Sequence, residues 1–307
     1  MEESRPTISV VICTYNRDKY IRAALESLDR QTLEKKYFEV LIINNNSTDH
    51  TAEICQDFIG QSTATNFYYF FEPEKGLSAA RNRGLKESRG EIITYMDDDA
   101  VAAENFLAAL FRFFTHEPDA VGAGGKVLPR YAESPEPAWM NKYLYGFVAG
   151  QDFGDEQKKY TPRMKYPAGC NMSYKKEVLL QVNGFNNALQ FRSDDKLINY
   201  RVKKISDNIW YLPEAVVFHH IDKDRLAFSS FKKLYQKTGN EEKKRIESEG
   251  SFFSWLAKFA GYSARLGASV GIWISFLLQG KEIKGRYVFF SQWFTFLGFL
   301  KKDVFVR

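Results

Sequence analysis

The chain has 307 residues, a formal net charge of +5, 44% apolar residues and 26% charged residues. That length can bury one large core, or one core with a smaller appendage, and the ordinary proportions exclude a low-complexity or disordered chain. The basic residues are uneven: Lys281, Lys284, Arg286, Lys301, Lys302 and Arg307 crowd the tail between apolar stretches, a pattern that fits an anionic membrane surface and speaks against nucleic acid as a partner.

The first 130 residues alternate strand and helix. Ile8 to Cys13 is a continuous apolar run suited to a strand buried on both faces. Asn16 is placed to cap a helix whose apolar positions Ile21, Ala24, Leu25 and Leu28 follow the helical period. Phe38 to Ile43 reads as the second strand, and the cluster Asn44-Asn45-Asn46-Ser47-Thr48-Asp49 turns the chain after it. Phe67 to Phe71 is a third strand and Leu77 to Ser88 a helix. A fourth strand, Ile92 to Met96, ends abruptly in Asp97-Asp98-Asp99. This alternation predicts an α/β domain with a mainly parallel sheet flanked by helices.

Residues 131–167 break the rhythm with Pro135, Pro137, Gly146, Gly150, Gly154 and Pro162, and with Trp139, Tyr143, Tyr145 and Phe147 between them. A loop of this length is expected to be functional, and its aromatics predict an ordered lid or recognition loop. Met172 to Tyr174 then reads as a strand, Lys175 to Val182 as a helix, Asn183-Gly184 as a turn and Asp194 to Lys204 as a helix. Ile209 to Leu212 and Val216 to Phe218 are short strands. The expected organisation is one domain over 1–222, with halves 1–130 and 131–222, and a helical extension over 223–307. Cys13, Cys55 and Cys170 lack metal or redox spacing, and Glu2, Glu3 and Pro6 open the chain without a secretory signal. Free thiols and a cytosolic location follow as expectations.

Three crowded carboxylates at a strand end repel one another, and a divalent cation relieves that repulsion. Mg²⁺ or Mn²⁺ binds through one or two carboxylates, with water and substrate phosphates completing the shell. A solvated acidic turn capping the next helix is the rival reading, and the triplet alone leaves both open. Polar residues also follow the first strand, at Thr14, Tyr15, Asn16 and Arg17, and the second, at Asn44 and Asn46. Converging strand ends form one crevice in such sheets. There Tyr15 can stack on a base and Asn44 can bond its edge. Arg81 can reach a diphosphate or pair with the acids. Asp194-Asp195 supplies either a general base or a helix-dipole partner. His219-His220 follows a strand and offers a metal ligand. A phosphate loop, a dinucleotide fingerprint and a nucleophilic triad are all absent from the sequence.

In order, these segments resemble the family 2 glycosyltransferases, which have the GT-A (Rossmann-like) fold. The resemblance runs from Ile8 to His220 through Val10-Val11-Ile12-Cys13-Thr14-Tyr15-Asn16-Arg17, Asn45-Asn46-Ser47-Thr48-Asp49, Gly76 to Gly84, Asp97-x-Asp99, Gly169-Cys170-Asn171-Met172, Gly184-Phe185, Asp194-Asp195 with Arg201, and Pro213 to His220. It implies inverting transfer of a hexosyl or N-acetylhexosaminyl group from a nucleotide-diphosphate sugar, expected to be a UDP-sugar, to a glycan or lipid-linked hydroxyl. By the same resemblance, Asp99 holds Mn²⁺ or Mg²⁺ and His219 completes that site. Asp97 takes the ribose or a metal-bound water, and Asp195 deprotonates the acceptor. Thr14, Tyr15, Asn16, Arg17, Asn44, Asn46, Arg81, Asp97 and Asp98 are assigned to the donor, and Trp139, Asn171 and Asp194 to the acceptor. Two positions depart from the family: Asn44 stands where Asp is common, and Asp194 where Glu is usual. The rivals are a sugar-nucleotide nucleotidyltransferase, whose glycine-rich loop is missing here, and a non-catalytic membrane-associated protein that keeps the fold.

In the tail, Phe252, Trp255, Leu256 and Phe259 recur at helical spacing. Residues 266–280 and 287–300 are uncharged and shorter than the roughly 20 residues of a span. They predict two short helices lying in the membrane interface or forming a shallow hairpin, holding the protein peripherally at the inner face. Packing on the catalytic domain, or a homo-oligomer interface, is the competing expectation.

Overall fold

The computed structural model describes residues 6–61, 65–131, 135–161, 164, 166–187, 194–249 and 252–301. Glu2, Glu3, Pro162, Arg192, Ser193, Lys302 and Arg307, singled out or spanned above, lie outside them. The chain forms two compact units, Met1–Arg130 with Ala149–His220, and Tyr131–Val148 with Ile221–Arg307. Of the segment expected to act as a lid, residues 131–148 group with the tail helices and the rest with the sheet.

The first unit runs β1 (Ile8–Thr14), α1 (Ile21–Asp29), β2 (Phe38–Asn44), α2 (Thr51–Gln61), β3 (Phe67–Phe71), α3 (Leu77–Glu87), β4 (Ile92–Asp97), β5 (Ala100–Ala102), α4 (Phe106–His116), β6 (Gly122–Tyr131), β7 (Lys158–Lys159), β8 (Met172–Lys175), α5 (Lys176–Gln181), α6 (Asp194–Lys203) and β9 (Ile209–Ile221). Its sheet has the order β3-β2-β1-β4-β8-β6-β9-β5, with β7 on β9. The strands β3-β2-β1-β4 are parallel. The pairs β4–β8, β6–β8, β5–β9 and β7–β9 are antiparallel. The sheet is thus mixed rather than mainly parallel. Parallel neighbours need a crossover, usually a helix, and α1, α2 and α3 supply it among the first four strands. No α-helix among the described residues separates β6 from β8.

Side chains alternate between the two faces. Ile8, Val10 and Ile12 of β1 join one core with α1, α2 and α4. Val11 joins Leu41, Ile93 and Tyr95 in the other, under α3, α5 and α6. Both faces are covered, which accounts for the mostly apolar strands β1 and β2; the polar Ser9 and Glu39 within them are buried and bond to one another at 2.6 Å.

The second unit contains α7 (Lys223–Leu226), α8 (Phe228–Glu249), α9 (Phe252–Leu278) and α10 (Glu282–Leu300). Its core gathers Trp139, Phe147, Phe231, Val288 and Phe294. Gly239 and Gly298 let α8 and α10 approach closely: a Cβ on the first would strike the Thr295 carbonyl, and on the second the Gln236 carbonyl. Instead of an amphipathic segment followed by a short helix, α9 is continuous over 27 residues. Among the described residues no helix is long and apolar enough to cross a membrane.

Candidate active site

Pairing register brings the polar strand ends together. Thr14 lies opposite Asn44 across β1–β2, and Cys13 opposite Asp97 across β1–β4. The chain turns sharply after β1 and β2 because Asn16 and Asn46 adopt φ of 53° and 62°, a left-handed region that Asn tolerates better than most residues. The two turns are stitched together, with Asn16 Oδ1 accepting from the Thr48 amide at 2.8 Å. Asn44, expected at the base, has both amide ends engaged internally. Its Nδ2 donates to the Tyr69 hydroxyl at 2.8 Å, and its Oδ1 accepts from the Ser47 amide at 3.0 Å. Beside these turns lies a cavity of about 460 Å³, lined in part by Cys13, Thr14, Tyr15, Asn45, Lys75 and Gly76. Tyr15 is exposed there, with the Lys75 ammonium 5.8 Å from its ring centroid. The sequence reading had not assigned Asn45 and Lys75. Asn45 fixes the pocket wall by accepting from the Gly76 amide at 2.8 Å.

The acidic triplet is folded so that its members face different partners. Ala100 pairs with His219 in the β5–β9 register, which carries the imidazole back beside the triplet. His219 Nε2 lies 3.2 Å from Asp99 Oδ1. Asp97, Asp99 and His219 each present a ligand atom, all within 4.8 Å of one another. Two carboxylates and one imidazole form a donor set that fits Mn²⁺ or Mg²⁺. Asp97 thus stands with the metal-ligating candidates. Asp98 is buried and faces Arg17 Nε at 3.4 Å, while Arg17 Nη2 lies 3.5 Å from Asp99 Oδ2. Burial pushes the Asp98 carboxyl up to about 8, with Asp99 adding to the shift and Arg17 opposing it. Burial and then the Asp99 charge likewise raise Asp97, against Arg81 and His219.

The second acidic pair opens α6. Asp194 is 5% exposed and takes a 2.6 Å charge-assisted bond from Arg81 Nη1. Its other oxygen accepts from the Asp195 amide at 2.9 Å. Arg81 Nη2 donates to the Gly169 carbonyl at 3.3 Å and lies 3.7 Å from Asp97 Oδ1. Arg81 is 3% exposed, and in this structure Asp194, Asp97 and the Gly169 carbonyl surround its guanidinium. Asp195 is pushed up from 3.8 to about 6, mainly by burial and then by Asp194, against the pull of Arg81. A carboxylate poised there can accept a proton near neutrality.

Two residues expected at the acceptor serve the framework. Asn171 is fully buried, accepts from the Gly125 amide at 3.2 Å and donates to the carbonyls of Ala215 at 2.9 Å and Lys126 at 3.2 Å. It satisfies backbone groups where Gly125 comes so close to Ala215 that a Cβ would collide with its carbonyl. Trp139 stacks on Tyr287 inside the second unit, with centroids 4.6 Å apart and planes 2° from parallel. An aromatic in a Pro- and Gly-rich segment suggested a recognition loop; tertiary packing claims it instead. Asn82, unassigned above although it lies in the Ala-Arg-Asn segment, clamps Phe185, donating to its carbonyl and accepting from its amide at 2.8 Å each.

The family model described as glycosyl transferase family 2 matches residues 9–182. Glycosyltransferase GlyG of Streptococcus pneumoniae is 30% identical over 224 residues, covering 69% of this chain and 70% of the relative. Glucosyl-dolichyl phosphate glucuronosyltransferase of Haloferax volcanii is 25% identical over 244 residues, covering 75% and 76%. Among solved structures, mannosyltransferase PcManGT of Pyrobaculum calidifontis in complex with GDP-Man and Mn²⁺ superposes with a TM-score of 0.63 at 16% identity, covering 94% of this chain and 86% of that one. Residues 1–349 of S. aureus TarS in complex with UDP-GlcNAc give 0.59 at 17% identity, covering 92% and 90%. The mixed α/β fold resembles the GT-A architecture of these structures.

Proposed function

The chain belongs to glycosyl transferase family 2 and transfers a sugar from a nucleotide-sugar donor; from that premise we propose an inverting reaction in which Asp195 is the general base and a UDP-sugar the donor. The carrying observation is the pair of acid groups on one unit: Asp97, Asp99 and His219 on one side, Asp194 and Asp195 on the other, linked by Arg81. The Asp195 carboxylate takes the proton of an acceptor hydroxyl on a glycan or lipid-linked sugar. The freed oxygen bonds to the anomeric carbon as the bond to the diphosphate breaks on the opposite face, so the configuration inverts. Asp97, Asp99 and His219 would hold Mn²⁺ or Mg²⁺, which when bound neutralises charge on the departing diphosphate. Arg17 is already engaged by Asp98 and Asp99, and Arg81 by Asp97 and Asp194, so the metal would supply the positive charge that an anionic donor calls for. Tyr15, Lys75 and the cavity beside them offer the nucleoside a stacking face and a cation. The test is a screen of nucleotide-sugars with Mn²⁺. Release of free nucleoside diphosphate that stops with chelator supports the reading; release of pyrophosphate, or no turnover of any donor, refutes it.

We also propose that the second unit rests on an anionic membrane surface through α9 and the turn into α10. Phe252, Phe253, Leu277 and Leu278 are exposed at 70, 79, 52 and 83%, and exposed Lys281 and Arg286 flank that turn. Apolar burial and basic charge reinforce one another at such surfaces. Cosedimentation with anionic liposomes at low salt is the expected result. Unbound protein that elutes as an oligomer would assign this face to self-association instead.

A further inference from the structure

We infer that Arg81 is a positioning residue that joins the acids of the donor side to the base of the acceptor side, acting on Asp195 through Asp194. The inference rests on the reading of Asp195 as the base. Arg81 projects from α3, and its guanidinium lies against the edge-to-face pair of Tyr95 and Phe185, 5.8 and 5.4 Å from their centroids. One nitrogen binds Asp194 at 2.6 Å, while the other reaches the Gly169 carbonyl at 3.3 Å and lies 3.7 Å from Asp97. Asp194 in turn holds the Asp195 amide, so the chain of contacts runs from the end of β4 to the first turn of α6. Space at this junction is tight: a Cβ on Gly169 would lie 2.9 Å from Arg81 Nη2 and 3.5 Å from Asp195 Oδ2. The next residue, Asn82, grips Phe185 and Asn187 ahead of α6, so one turn of α3 anchors the acceptor half at two points.

A planar fork can serve Asp194 and Gly169 together, whereas a lysine ammonium is a single point charge on a flexible stem. Misplacing a reacting group by about 1 Å costs roughly a hundredfold in rate. Among the described residues, the charges and ionisable groups set around Asp195 are Asp194 on α6, Arg81 on α3 and Asp97 on β4, with the neutral Tyr174 on β8 and Cys170 just before it. Arg81 and Asp194 therefore act on the Asp195 proton in opposite directions.

The experiment compares Arg81→Lys, Arg81→Met, Asp194→Asn and Asp195→Asn in the full chain, measuring kcat, donor KM, calorimetric binding of UDP with Mn²⁺, and the acidic limb of the pH–rate profile. Arg81→Lys is expected to lower kcat about tenfold to a hundredfold with donor KM and UDP binding nearly unchanged. The acidic limb should move to higher pH in Arg81→Met and to lower pH in Asp194→Asn. If Arg81→Met does not fold, Arg81→Lys and Asp194→Asn decide the matter. UDP affinity falling in step with kcat in Arg81→Lys would make Arg81 a donor ligand and overturn the inference. An unmoved limb in Asp194→Asn would overturn it as well. Full activity in Asp195→Asn would instead remove the base assignment itself, whereas an inactive Asp195→Asn beside an unimpaired Arg81→Lys would remove only this inference.

Discussion

The carboxyl of Asp195 connects rate and stability to pH in a way that can be worked out. Its pKa rises from 3.8 to about 6 because burial disfavours the charge, Asp194 adds repulsion, and Arg81 offsets only part of both. With that value about a tenth of the molecules carry the base form at pH 5 and about nine tenths at pH 7, so kcat/KM should rise roughly tenfold between them. A carboxylate left at 3.8 would give almost no change over the same interval. Replacing it by Asp195→Asn should lower transfer by about a hundredfold to ten-thousandfold with donor binding retained. The stability effect has the opposite sign. A carboxyl whose pKa is raised on folding contributes most below the unfolded value, and that contribution is lost as pH rises from about 4 through about 6. The full shift of about 2 units corresponds to at most about 3 kcal/mol, shared among neighbours that titrate together. Asp195→Asn should therefore match or exceed the wild type in urea stability at pH 8, while the two converge at pH 4. A rate that stays flat between pH 5 and 7, or an Asp195→Asn protein clearly less stable at pH 8, would refute this reasoning.

Removing the imidazole by His219→Ala should weaken Mn²⁺ binding, with activity partly restored at high Mn²⁺ because Asp97 and Asp99 remain; titration of rate against Mn²⁺ tests this. Trp139→Ala should destabilise the chain by about 3–5 kcal/mol through loss of a packed aromatic, leaving UDP–Mn²⁺ binding by the first unit unchanged; denaturant melts and calorimetry check both parts. Gly125→Ala should lower Tm sharply, since its Cβ collides with the Ala215 carbonyl, and a thermal melt reads it directly.

The parallel strands were legible because two-sided burial writes an unbroken apolar run, as in Val10 to Cys13, and because Asn-rich turns mark its end. The acids at Asp97 to Asp99 were legible as a cluster. Their division of labour was not, since it depends on the β5–β9 register that brings in His219 and on Arg17 meeting Asp98. Arg81 illustrates the same limit: a sequence offers both a diphosphate and an acid as its partner, and only the fold sets Asp97 and Asp194 beside it. Asn171 is assigned to the acceptor through the resemblance of Gly169-Cys170-Asn171-Met172 to a family segment. Its amide is held by backbone groups that become neighbours only through the antiparallel half of the sheet. In the tail, Gly239 and Gly298 carry the signal for close helix packing, but a glycine within a helix does not name the partner helix it admits.

The central claim is inverting transfer by a family 2 enzyme with Asp195 as base, and it can be tested without knowing the acceptor. ¹H NMR of the first sugar released when a turned-over α-linked nucleotide-sugar is hydrolysed in the presence of Mn²⁺ should show the β anomer, with free nucleoside diphosphate and no signal from Asp195→Asn. Initial release of the α anomer, or equal release by Asp195→Asn, would contradict the account.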